Sequence, residues 1–245
     1  IYGAQRDYKT FSKKMVIDRI IKENNVHCTV INGENALMGR GNGISHDIAD
    51  SLFFAGADFI TGGNHSFASS SVYPLLDDEV GLIRPANYPP ECPGTGYAIK
   101  DCNGVLVLVM NVSGRIYMSE SLSDPFLAVS RILCAEEGKY DISVLDVHAE
   151  ATSEKFCIAS HFDGKINVIF GTHTHVQTAD ETIDFGNLID KQIRKDGKGV
   201  EVLYNTRFKS TLAEDNIYFF YEYKRVEDIG KFAVGYVDLV TLKVY

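Results

Sequence analysis

The sequence has no apolar run near the roughly 20 residues that a bilayer span requires, and its opening residues do not read as a signal peptide. A cytoplasmic location is the expectation. Cysteine is present but unorganised: Cys28, Cys92, Cys102, Cys134 and Cys157 are odd in number, scattered and without a CxxC pair. They read as reduced thiols, not as a disulfide framework or a zinc ribbon. Positive charge is also short, with 24 Lys and Arg against 33 Asp and Glu for a net charge of −9. That balance argues against a broad basic face for duplex nucleic acid, although ions bound in one pocket would still admit a small anionic substrate. Linkers, internal repeats and low-complexity tracts are missing as well. What remains is 245 residues with 45% hydrophobic content, enough for one α/β domain with a full core.

Along the chain, helical and strand signals alternate. Residues 8 to 24 place Phe11, Met15, Ile17, Ile20 and Ile21 among charged residues at helical spacing, and Val26 to Ile31 is a β-branched strand, with His27 inside it. Gly39 to Gly43 lacks the spacing of a phosphate-binding loop and reads as a covering loop. Ser45 starts a helix that Gly56 stops, and Asp58 to Thr61 is the next strand. After a Pro- and Gly-rich loop over 80 to 96, Tyr97 to Lys100 and Val105 to Asn111 flank Asn103-Gly104, a hairpin signal because both residues tolerate positive φ. Asp124-Pro125 opens a helix that runs toward Gly138. Ile142 to Val147 is a strand, a helix extends to about His161, and Ile166 to Phe170 is a further strand. Asn216 to Arg225 and Lys231 to Tyr245 are β-rich, with Val234, Tyr236 and Leu239 hinting at a terminal antiparallel pair.

The chemistry collects where strands stop. Gly171-Thr172-His173-Thr174-His175 follows the apolar run ending at Phe170, and two imidazoles one residue apart at a strand mouth suit a metal. The earlier strands end in Asn32-Gly33-Glu34-Asn35, Gly62-Gly63-Asn64-His65 and His148. Ligands in α/β sheets gather at the carboxyl ends of strands. A carboxylate, carboxamide oxygens and imidazoles suit Fe, Mn or Zn, and their surplus over four favours two ions bridged by Glu34. Such a pair lowers the pKa of water from about 15.7 toward 7 and clamps phosphoryl oxygens, so phosphoester hydrolysis leads. His65, beside Asn64, is placed to protonate the leaving oxygen. His27, His46 and His161 get no functional role.

The motifs NGEN at 32 to 35, GNH at 63 to 65, RPANYP at 84 to 89, DPF at 124 to 126, DVHAEATSEK at 146 to 155 and GTHTHVQTAD at 171 to 180 occur in that order. With them the chain resembles the calcineurin-like metallophosphoesterases, and among these the YmdB-like 2',3'-cyclic-nucleotide phosphodiesterases. The resemblance implies a single domain over 1–245 with an αββα sandwich, its motif-bearing core at about 26–187 and a divergent β-rich part at 188–245. It implies a di-metal centre, often iron, in which Glu34 bridges, Asn35 and His175 serve the first metal, and Asn64, His148 and His173 serve the second, with His65 as proton donor. The implied partner is a small phosphoester, with no membrane and with homo-oligomerisation left open.

Two departures from the family pattern carry expectations. The family's first strand ends in a metal-binding Gly-Asp, which does not precede the loop Ile1-Tyr2-Gly3-Ala4-Gln5-Arg6 here, and Asp7 is the sole nearby substitute. The segment 188–205 does not reproduce a Thr-Asp-Val-Gly-Met-type stretch. The first metal is therefore expected to bind more weakly than the second. The alternatives to the enzyme are a catalytically weak or inactive member that binds metal or nucleotide, and a hydrolase of another bond such as an amide.

Overall fold

The structure is a computed structural model that describes residues 17–22, 26–37, 42–78, 80–175, 218–224 and 229–235. Residues 17–22 are helical. They are followed by β1 (Thr29–Asn32), α1 (His46–Phe54), β2 (Phe59–Thr61), a 3₁₀ turn (Ser70–Val72) that leads into α2 (Tyr73–Asp77), and β3 (Tyr97–Asp101). Then come β4 (Leu106–Ser113), α3 (Pro125–Ala135), β5 (Ile142–His148), α4 (Thr152–Phe162), β6 (Val168–Thr172), β7 (Tyr218–Lys224) and β8 (Ile229–Gly235).

The strands form two four-stranded sheets, β2-β1-β8-β7 and β3-β4-β5-β6. β1 lies parallel to both β2 and β8, while β7 and β8 are antiparallel. In the second sheet β4, β5 and β6 are parallel and β3 is antiparallel to β4.

Period-two alternation assigns each strand residue to one of two faces, and three buried clusters follow from it. Val30, Phe59, Val107, Val109, Val144 and Phe170 meet between the sheets. Their neighbours Ile31 and Ile60 turn outward to pack with Ala49, Leu52, Val72 and Leu76 under α1 and α2. Leu108, Met110, Leu145 and Val147 turn outward from the second sheet onto Val129, Ile132, Ile158 and Phe162 of α3 and α4. The order is helix, sheet, sheet, helix, the sandwich that the resemblance implies. Among the described residues no helix is long and apolar enough to cross a membrane.

Local sequence accounts for the joints. Asp124 accepts hydrogen bonds from Phe126 N at 2.8 Å and Leu127 N at 3.3 Å, and Pro125 occupies the first turn of α3. Asn103 and Gly104 both have positive φ, 58° and 88°, and Cys102 N reaches Val105 O at 2.8 Å, so a two-residue turn joins β3 to β4. Ser45 has extended dihedrals before α1, but its side chain makes no capping bond. Gly56, with φ 107°, follows that helix.

Several boundaries differ from the sequence reading. His27 precedes β1 and does not lie in it, and β4, β5 and β6 run on to Ser113, His148 and Thr172. The turn and short helix over 70–77 have no counterpart in the reading, because Pro74 and the serines before it mask a one-turn helix. Of the helix expected over 8–24, only 17–22 is described, and Asp7, Tyr236, Leu239 and 188–205 lie outside the described residues. The late β-rich segments supply an antiparallel pair whose β8 joins the motif-bearing β1, Thr29 opposite Ala233.

Candidate metal centre

The inter-sheet layer changes character along its strands. The positions that follow Val30, Phe59, Val109, Val144 and Phe170 on the same face are Asn32, Thr61, Asn111, Asp146 and Thr172, all buried. Asp146 has no exposure and accepts from Asn32 Nδ2 at 2.9 Å, Thr61 Oγ1 at 2.5 Å and Thr172 Oγ1 at 2.7 Å. Burial pushes its carboxyl up to about 6, against the pull of those hydrogen bonds. At neutral pH it is ionised and accepts only.

That carboxylate sets the tautomer of His148. Thr172 spends its single hydroxyl hydrogen on Asp146, so its oxygen must accept from His148 Nδ1, 3.0 Å away. Nδ1 therefore carries the proton and Nε2 presents a lone pair. Burial, reinforced by His173 and Lys155, holds the His148 imidazole well below its ordinary range, so the ring stays neutral. The same logic applies to His173. Its Nε2 lies 3.0 Å from Glu150 Oε2, an acceptor, which leaves Nδ1 as the lone pair. Burial also lowers its pKa, opposed by Glu150.

These lone pairs point at one another. His148 Nε2 is 3.1 Å from His173 Nδ1 and 2.8 Å from Asn64 Oδ1, with Glu34 Oε1 at 3.7 Å. Four acceptor atoms without a hydrogen among them repel, and a cation between them turns that repulsion into coordination. The donors are nitrogen and oxygen, the set expected of Fe, Mn or Zn. The residues present fit a metal.

Close backbone approach makes the convergence possible. A Cβ on Gly63 would stand 2.4 Å from the His148 ring and 2.6 Å from Glu34 Cγ, so only glycine fits between them. Glu34 is buried and its Oε1 accepts from His65 N at 3.1 Å, tying the end of β1 to that of β2. His173 and His175 adopt φ 93° and 53°, left-handed values uncommon outside glycine that aim the two rings past the end of β6. His175 Nε2 lies 2.8 Å from the Asn35 carboxamide, apart from the His148 group. The structure thus brings Asn64, His148 and His173 together, pairs Asn35 with His175, and sets Glu34 beside the larger group.

His65 stands 3.8 Å from Glu34 through Nε2 with a side chain 35% exposed, at the open side of the centre. Burial lowers its pKa, Glu120 opposes that shift and His175 adds to it. Glu120 escaped the sequence reading, yet its Oε2 is buried without a hydrogen-bond partner among the described residues. Tyr88 is a second omission. Its hydroxyl donates to Asn64 O at 3.5 Å and burial pushes its pKa up to about 12. The loop that carries it is held by buried Arg84, which donates to Pro85 O at 3.0 Å, and by Asn87, which exchanges bonds with Ser113 and donates to Ser123 O. Asp146 and Thr172 were also unassigned, although Asp146 shares a strand face with His148. The remaining histidines have other partners: His46 faces Asp50 at 3.2 Å, and His161 packs edge-on to Phe126 and Phe162.

Comparison with known proteins bears on the family and the fold. A sequence profile of the family described as "YmdB-like protein" matches residues 9–187. The 2',3'-cyclic-nucleotide 2'-phosphodiesterase of Bacillus subtilis (strain 168) is 41% identical over 157 residues, 64% of this chain and 58% of that protein. The chain spans 54 to 63% of the length of the curated relatives it matches. A hypothetical protein from Thermus thermophilus superposes with TM-score 0.68 at 28% identity, covering 92% of this chain and 94% of that one. A phosphatase from Mycoplasma pneumoniae superposes with TM-score 0.65 at 22% identity, covering 91% and 88%, and speaks for the fold alone.

Proposed function

Because the chain belongs to the YmdB-like family, we propose that it is a metal-dependent phosphodiesterase acting on small phosphoesters, with 2',3'-cyclic nucleotides as the leading substrates. The observation that carries the reading is the meeting of His148 Nε2, His173 Nδ1 and Asn64 Oδ1 within 2.8 to 3.1 Å as lone-pair donors. With Glu34 they would hold one ion, and Asn35 and His175, shared with Glu34, a second. Ions bound there would supply an acidified water and screen the charge of a phosphoryl group. Iron, manganese and zinc all suit the donors.

The chain's own residues do the remaining work. Asp146 and Thr172 keep His148 in the tautomer that offers Nε2, and Glu150 does so for His173 Nδ1. His65, partly exposed beside Glu34, donates its proton to the leaving oxygen of the ester. Glu120 favours the protonated form of that ring against the burial that disfavours it. Tyr88 holds the backbone of Asn64 and so the position of its carboxamide.

The test is direct. Protein loaded with Fe, Mn, Co or Zn is incubated with 2',3'-cyclic AMP, and a single nucleoside monophosphate product is expected. No turnover with any of the four metals would sink the proposal.

A further inference from the structure

The opposite end of the inter-sheet layer holds a second group of donors that the phosphoester reading does not use. Cys28 immediately precedes β1, Asp58 immediately precedes β2, and Cys102 immediately follows β3. β1 and β2 are parallel and deliver Glu34 and Asn64 beyond their carboxyl ends, so Cys28 and Asp58 lie at the far end. β3 is antiparallel to β4, which puts Cys102 beside the start of β4 and at that same end.

The two sulfurs and a carboxylate oxygen of Asp58 all lie within 4.8 Å of one another. Three atoms no farther apart than 4.8 Å share a point within about 2.8 Å of each, that span divided by √3. Bonds from zinc are about 2.3 Å to sulfur and about 2.0–2.2 Å to a carboxylate. To reach those lengths the sulfurs draw in by at most about 0.5 Å and the carboxylate oxygen by at most about 0.8 Å.

Charge points the same way. Two thiolates and a carboxylate are three negative charges. A divalent ion leaves one, and the Lys100 ammonium beside them balances it. Lys100 is pinned there, with Nζ donating to Asp58 O at 2.7 Å and to Val80 O at 2.6 Å. Cys28 and Cys102 are 2% and 3% exposed, so as bare thiolates they would be very costly. The sulfur–sulfur hydrogen bond and burial push the Cys28 thiol up, and Asp58 is raised by burial. Bound metal reverses that preference by deprotonating coordinating thiols.

We propose that Cys28, Cys102 and Asp58 form a zinc site that ties the first sheet to the second, with water in the fourth position on the partly exposed side of Asp58. Thiolate pairs select zinc over the harder cations, and the carboxylate is an ordinary third ligand for it. The site would join residues 28 and 58 of one sheet to 102 of the other, at the opposite strand ends from the phosphoester centre.

Cobalt(II) substitution of the full chain tests it, because thiolate-bound cobalt has an intense near-ultraviolet sulfur-to-metal band and the candidate active site contains no sulfur. One equivalent of cobalt showing that band is expected, with displacement by zinc. The band should vanish in Cys102→Ser and weaken in Asp58→Asn, while cyclic-nucleotide turnover by Cys102→Ser stays at the level of the unaltered protein. Absence of the band from cobalt-loaded protein would overturn the site, and so would a mass two hydrogens lower that maps to a Cys28–Cys102 disulfide. Should Cys102→Ser fail to fold, the band should persist when Cys92, Cys134 and Cys157 are all replaced by serine, and its loss there would overturn the site. A chain that shows the band yet cleaves no phosphoester keeps this site and loses the enzyme reading, so the two failures are distinguishable.

Discussion

The two ends of the inter-sheet layer share β1 and β2 and use them for different purposes. At one end the donors are nitrogen and oxygen, and each imidazole has an outer partner that dictates which nitrogen is bare: Thr172 and Asp146 for His148, Glu150 for His173. At the other the donors are two buried sulfurs and one partly exposed carboxylate, with a lysine as the balancing charge. The first end is built from loops with glycine and positive-φ residues that open toward solvent. The second is closed by a tight hairpin turn. Both need oriented lone pairs, but a site that turns over substrate also needs room for that substrate, which a site that only ties two sheets together does not.

The largest expected effect comes from removing a donor at the open end. His148→Ala takes away the atom on which Asn64, His173 and Glu34 converge, so turnover should fall by more than the roughly 10²-fold upper cost of an outer partner, with the sulfur-to-cobalt band unchanged. Metal analysis and spectroscopy on the same sample check both halves. Loss of the band together with activity would mean that the two ends are not independent.

Next in size is the proton donor. His65→Ala should retain its metals and lose on the order of 10²–10⁴ in rate on a cyclic nucleotide. A nitrophenyl ester, whose leaving group needs that proton less, should lose less. Equal losses on the two substrates would contradict the role and would return His65 to a residue that only orients Glu34.

Much of the open end was legible because its signals are local. A β-branched run followed by Gly, Asn, His or Glu is readable within eight residues, and four such stretches fell on the ends of β1, β2, β5 and β6. The hairpin at Asn103-Gly104 was readable for the same reason. Asp146 was not, because a carboxylate inside a buried strand is explained only by Asn32, Thr61 and Thr172, which lie 114, 85 and 26 residues away. The closed end was illegible altogether. Cys28, Asp58 and Cys102 have no spacing in common, and cysteines that look scattered along the chain became neighbours only through β3 turning back on β4. β8 illustrates the same limit, since its place beside β1 rests on a pairing about 200 residues apart.

A smaller effect would sharpen the contrast in how lone pairs are set. Thr172→Val removes the hydroxyl between Asp146 and His148 at nearly constant volume, so His148 loses its tautomer lock while keeping its ring in place. The expected cost is about 10–100-fold in metal affinity at the open end, read by titration of the metal-free protein, with Thr172→Ser restoring most of it. An equal loss in Thr172→Ser, which keeps the hydroxyl, would show that the hydrogen-bond relay does not set the affinity.

The smallest prediction concerns the outer layer, which should serve neither end. Asp124→Ala removes two capping bonds from α3, whose buried face packs on the outside of the second sheet. The expected cost is about 1 kcal/mol, or roughly 2–4 °C in Tm for a chain of this size. Turnover and the cobalt band should not change. There is one route by which this could fail. The neighbouring Ser123 accepts from Asn87 Nδ2 at 3.0 Å and donates from its backbone to Asn87 O at 3.1 Å, and Asn87 sits beside Tyr88, whose hydroxyl reaches Asn64. A frayed start of α3 could loosen that loop. If Asp124→Ala lowers turnover at a temperature where the protein remains folded, the double variant with Tyr88→Phe decides the cause. No further loss would place the coupling in the loop, and an additive loss would place it in the packing of α3 against the sheet.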